Sequence, residues 1–137
     1  MFNTKLVAII NKQIEPGVAM NALAHLSLGF GAAHTAEEVH LMNFQDAEKT
    51  IYPNISKMPY IILQAKNSNQ LQTLFQHAQE RGVEYTVFTE TMTQGTWQDQ
   101  EVRTQQTKKE QLQFYGMVLF GPKEVIAELT KKFSLWR

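Results

Sequence analysis

His25 is the side chain in this sequence best suited to exchange a proton near neutral pH, because an imidazole titrates there without help from its surroundings. Asn21 stands four residues earlier in PGVAMNALAHLSLGFGA, a stretch whose apolar spacing predicts a helix. At i and i+4 the two side chains are neighbours on one helical face, where they can grip one ligand or share a hydrogen bond. The alternative for His25 is a packed helical histidine bonded to backbone. A second polar group, Thr89, Glu90, Thr91 and Thr93, supplies hydroxyls and a carboxylate at the end of a predicted strand. Ligand groups gather at such ends in open α/β sheets, although turn capping uses the same residue types. His34, Glu38 and His40 straddle a predicted helix-to-strand connection without a rigid i, i+4 pair of histidines, so no metal is expected there. No serine elbow, phosphate-binding glycine loop or nucleophile with a base in register is present, and nothing points to a cofactor.

The elements that must position these groups begin with Thr4 to Ile10, a nearly unbroken apolar run expected of a central strand buried on both faces. Glu15-Pro16-Gly17 closes the turn after it. Pro16 suits a first helical turn, and Gly17 allows a tight bend or close approach to a ligand. The helix is expected from Pro16 to about Ala33, with Ala19, Leu23, Leu26 and Phe30 as the stripe on the sheet. A helix N-terminus just beyond the carboxyl end of a central strand is a favoured ligand position. One concave site is therefore expected from Gly17, Asn21, His25 and the 89–93 segment.

Thr35 to Glu38 resembles a capping box, and 39–44 with 51–52 reads as a hairpin. A second central strand is expected at 60–66. A helix should run from Ser68 or Asn69 to Gly82, with Leu71, Leu74, Phe75 and Ala78 inward, and a strand should follow at 83–88. Strand, helix and strand in that order predict a right-handed crossover between parallel neighbours. The Gln- and Thr-rich segment 89–109 reads as a surface loop with one short helix at 98–106. A strand at 112–120, a turn at Gly121-Pro122 and a helix at 123–132 complete the core. The tail Phe133-Ser134-Leu135-Trp136-Arg137 is too apolar for a free end.

The 137 residues suit one domain, 1–137, and neither a repeat nor a linker divides them. Thirteen basic and thirteen acidic side chains give zero net charge, which removes the field expected of a nucleic-acid binder. There is no cysteine, hence no disulfide, thiolate nucleophile or thiolate metal site. The start shows no leader pattern, and no apolar segment approaches the roughly 20 residues that span a bilayer. A cytoplasmic, soluble protein with no membrane partner is the expectation.

The strand at 5–11, the turn with Gly17, the small-residue helix with His25 and the ending LFGPKEVIAELTKKFSLWR together resemble the peptidyl-tRNA hydrolase II-like superfamily. Within it, NALAHLSLGFGA, FTETM and the terminal FGP and SLWR are similar to an uncharacterised branch, a domain-of-unknown-function family. The resemblance implies a three-layer α/β/α sandwich on a mixed, mostly parallel sheet of about four or five strands. It also implies a pattern for the hydrolase chemistry. Gly17 and His25 match that pattern, but Val18 stands at its lysine and Ala22 at its glutamine. In the second motif Thr93 and Gln94 match, whereas Thr89 stands at the aspartate and Glu90 is one place off.

Two functions follow as expectations. One is a small ligand or partner bound in a cleft at the first helix, without hydrolase chemistry. The other is a divergent peptidyl-tRNA hydrolase. A homodimer is also expected, through Phe133, Leu135 and Trp136 or the 89–109 loop, as relatives with the resemblance are commonly dimers; the alternative is a tail that completes its own core.

Overall fold

The apolar run at the start of the chain becomes β1 (Thr4–Asn11), from Leu6 onward buried on both faces. It pairs with β4 (Tyr60–Ala65) on one side and β6 (Phe114–Pro122) on the other. This computed structural model describes residues 2–137. The sheet has five strands in the order β5-β6-β1-β4-β7, where β5 is Glu84–Thr89 and β7 is Ser134–Leu135. A separate hairpin, β2 (Leu41–Gln45) with β3 (Ile51–Ser56), stands beside it.

Four helices complete the α/β fold: α1 (Pro16–Ala32), α2 (Ser68–Glu80), α3 (Trp97–Gln105) and α4 (Lys123–Thr130). Alternation along β1 sorts the core into two. Leu6, Ala8 and Ile10 pack with Ala19, Ala22, Leu26 and Phe30 of α1. Val7 and Ile9 pack with Leu71 and Leu74 of α2 and Ile126 of α4. Helices thus cover both faces of the central strands, as the continuous apolar run of β1 requires. Gly116 of β6 permits the close approach of α1. A Cβ there would stand 2.7 Å from Ile10 Cδ1, 3.2 Å from Leu26 Cδ1 and 3.3 Å from the Ile9 carbonyl.

Local signals hold where they are strong. Pro16 opens α1, the Asn67 side chain accepts from Gln70 N at 3.0 Å to cap α2, and Gly82 follows that helix with φ 65°. The Thr35–Glu38 capping box forms in both directions, at 3.0 and 3.1 Å. The α1 stripe differs by one position: Ala22 is fully buried, and Leu23 is only partly so.

The expectation of a mostly parallel sheet is corrected. Only β1 with β4 is parallel, and the other three pairings are antiparallel. The expected crossover is corrected with it. β4 and β5 point the same way, but β1 and β6 lie between them. The physical reason is α3, which has no buried residue and so cannot act as a crossover helix packed on the sheet. The chain therefore returns from the end of β5 as its antiparallel neighbour β6.

The tail takes the alternative of folding back. Leu135 pairs with Leu63 and Ser134 with Gln64, while Trp136 N donates to the Ile62 carbonyl at 3.0 Å. Phe133 packs on the α2 side and Trp136 on the α1 side. Both rings are only partly buried by this packing, and Leu135 stays exposed.

Candidate functional site

β1, β4 and β5 all end at the same edge of the sheet, so the segments after them meet there. From the end of β1 the chain turns through Lys12 and Gln13 into α1. Buried Asn11 shapes that turn: its Nδ2 donates to the Phe114 carbonyl at 3.1 Å, and its Oδ1 accepts from Gln13 N at 2.9 Å.

His25 lies on an exposed flank of α1 with its ring stacked on Phe88 of β5, centroids 5.2 Å and planes 13° apart. Asn21 is exposed one turn earlier. Gly17 is exposed with open space around its Cα, so nothing nearby requires glycine there. The stack joins α1 to the strand that leads into Thr89, and Phe88 and Met92 belong to the core on the α1 side.

The threonines at the end of β5 spend their hydroxyls inside the protein. Thr89 and Thr91 are buried, with their Oγ1 atoms 2.6 Å apart. Thr104 Oγ1 lies 2.8 Å from Thr91 Oγ1 and 2.8 Å from the Gln100 carbonyl, so the hydroxyls form one chain. Arg103 donates to the Thr91 and Gln94 carbonyls, and Thr93 Oγ1 donates to the Glu90 carbonyl at 2.6 Å. This set fastens α3 to the sheet edge. The Glu90 carboxylate stays exposed near Tyr115, whose phenol is held above its usual range first by burial and then by that carboxylate.

The polar cluster at the other end of α1 is also engaged. His34 accepts no ligand, because Nδ1 is 2.7 Å from the Phe30 carbonyl and Nε2 is 2.8 Å from Glu84 Oε2. Both partners only accept, so the ring satisfies both bonds when it is doubly protonated. Its pKa is raised, chiefly by the Phe30 carbonyl, against burial and with the help of Glu84 and Glu38. Glu38 caps its own turn and the His40 ring meets Phe2 edge-on. Among the described residues no three His, Asp or Glu side chains gather as a metal set.

Two cavities open at the carboxyl edge. The first, about 140 Å³, lies against the first turns of α1 and is walled by Pro16, Ala19, Met20, Leu23, Ile62 and Trp136. The second, about 280 Å³, lies beside the ends of β1 and β4 and is lined by Lys12, Lys66 and Lys132 among others. Lys12 stands between the two: its Nζ is 4.0 Å from the centre of the Trp136 ring and donates to the Arg137 carbonyl. The sequence signal for the α1 cavity was the apolar tail, whose partner was not legible. The lysines gave none, being scattered among unrelated segments.

The chain belongs to the family described as protein of unknown function (DUF2000), whose model matches residues 4–137. Its fold is similar to that of a protein of unknown function from Agrobacterium tumefaciens strain C58, with a TM-score of 0.86 over 100% of both chains at 20% identity. At that identity the likeness concerns the fold alone. No curated protein matches the sequence.

Proposed function

We propose that this protein binds a small apolar molecule, or the apolar end of one, in the cleft at the start of α1, and does not hydrolyse it. The observation that carries this reading is the cavity formed by Pro16, Ala19, Met20, Leu23, Ile62 and Trp136 beyond the carboxyl end of β1. Its walls are almost wholly apolar, and its volume of about 140 Å³ is enough for a benzene-sized group. Met20 is 71% exposed at its rim, a large apolar side chain left in water unless something covers it.

Kinship with the peptidyl-tRNA hydrolase II-like superfamily remains part of this reading, but its chemistry does not. Val18 offers no charge, and Ala22 is fully buried where α1 meets the sheet, leaving no space for an amide side chain. The Thr89 hydroxyl is bonded to Thr91, and a hydroxyl cannot replace a carboxylate as a base at neutral pH. His25 acts here as a stacking surface for Phe88, not as a proton carrier.

Trp136 emission reports on the cavity once the other tryptophan, Trp97, is changed to Phe. Titration of Trp97→Phe with benzyl alcohol should give a saturable change, and Ala19→Leu, which fills the cavity, should abolish it. Peptidyl-tRNA incubated with the wild type should keep its ester at the rate seen without protein. Saturable emission that survives Ala19→Leu, or ester cleavage that needs His25, contradicts the reading.

A further inference from the structure

We infer that the crevice at the ends of β1 and β4 is a second binding site, for a small multiply charged anion of the phosphate class. β1 and β4 are adjacent and parallel, and the helices that follow them depart to opposite faces: α1 packs on the side of Ala8 and Ile10, α2 on the side of Val7 and Ile9. That divergence opens the sheet between the two strand ends and is where α/β sheets seat ligands.

The chemistry of the crevice is one-sided. Lys12, Lys66 and Lys132 line it, together with Gln64, Gln70 and Ser134, and no carboxylate is among its described lining. Glu128, one turn before Lys132, is drawn away to Arg81 at 3.5 Å. Lys12 is engaged by the backbone oxygen of Arg137 and the Trp136 ring, so the charge left for a ligand rests on Lys66 and Lys132, neither of which has an ion pair among the described residues. Like charges around one cavity repel, and an anion with several oxygens removes that repulsion while accepting from each ammonium. Gln70, in the first turn of α2, lines the same crevice, and its Oε1 accepts from Lys66 N at 2.8 Å, which ties the turn that carries Lys66 to that helix.

A small anion fits better than a nucleic-acid strand. The protein has no net charge, so nothing extends the local field along a polymer. The crevice is also bounded by the tail, through the pairing of Ser134 with Gln64 and the bond from Arg137 N to Gln64 Oε1 at 3.1 Å.

Calorimetric titration of the full chain with inorganic pyrophosphate at low ionic strength tests the site. One saturable event is expected, weakened about tenfold or more in Lys66→Gln/Lys132→Gln and recovered in Lys66→Arg/Lys132→Arg. Both lysines are exposed, so the far-ultraviolet circular dichroism should not change. No saturable heat, or heat indifferent to the double substitution, overturns the proposal. So does a single-stranded RNA decamer that binds and is not displaced by pyrophosphate. Because neither Lys66 nor Lys132 lines the α1 cavity, the benzyl alcohol signal from Trp136 should survive these variants whatever their effect on the anion.

Discussion

The imidazole of His25 lies flat against the ring of Phe88, with centroids 5.2 Å apart and planes inclined by 13°. This contact connects the exposed flank of α1 to the last turn of β5 before Thr89. It brings together two segments that the sequence marked as polar and near a strand end, and it does so with an aromatic surface. Offset stacking of this kind contributes about 1 kcal/mol beyond area burial. Replacing His25 with Ala should lower the urea-determined unfolding free energy by about that amount, whereas His25→Phe should keep most of it. A neutral His25→Ala would show that the stack contributes nothing.

At the far end of α1, His34 bridges the Phe30 carbonyl and Glu84. The folded pKa of His34 is raised, so its contribution is fully present below the unfolded value of about 6.5 and is lost as pH rises through the folded value. Its side chain is 6% exposed, which makes these charge-assisted bonds worth about 2 kcal/mol together. The stability gap between wild type and His34→Gln should therefore be larger at pH 5.5 than at pH 9. A gap that widens with pH has the wrong sign and removes the cation.

Ala22 shows why the hydrolase pattern cannot simply be restored. It has no exposed surface and faces the core between α1 and the sheet. Ala22→Gln would overpack the contact and bury an amide without partners, at a cost of about 3 kcal/mol. Chemical denaturation of the variant measures this directly, and a fully stable Ala22→Gln would reopen that face to catalysis.

Thr91 sits in the middle of the hydroxyl chain from Thr89 to Thr104. Thr91→Val leaves the buried Thr89 hydroxyl without a partner, while Thr104 keeps the Gln100 carbonyl, and should cost about 2 kcal/mol. Limited proteolysis should then cut first between Thr93 and Thr107, where α3 is otherwise fastened through Arg103 and Thr104. Unchanged cleavage would mean that Arg103 alone holds the segment.

What the sequence revealed depended on how local the signal was. The unbroken apolar run of β1, Pro16 at the start of α1 and the Asn67 and Gly82 boundaries of α2 each carry their own instruction, and each formed close to where it was expected. Strand direction at β6 did not, because it depends on whether α3 crosses the sheet, and the polar sequence of that helix speaks only to its surface. At the expected site, α1 and β5 are joined by the stack of His25 on Phe88, a residue that no sequence signal singled out, and the threonines face inward because Thr104, thirteen residues beyond Thr91, completes their bonds. The cavity on α1 was hidden for the same reason: Trp136 reaches Ile10 and Ile62 only after β7 has joined β4.

The most direct measurement of the binding claim is the set of backbone amide shifts that move when benzyl alcohol is titrated into isotopically labelled protein. Saturable shifts should be confined to Ile10, the 17–23 turns of α1, Ile62 and Trp136, which border the cavity. Shifts centred on His25 and the 89–93 segment, or none that saturate, would contradict it.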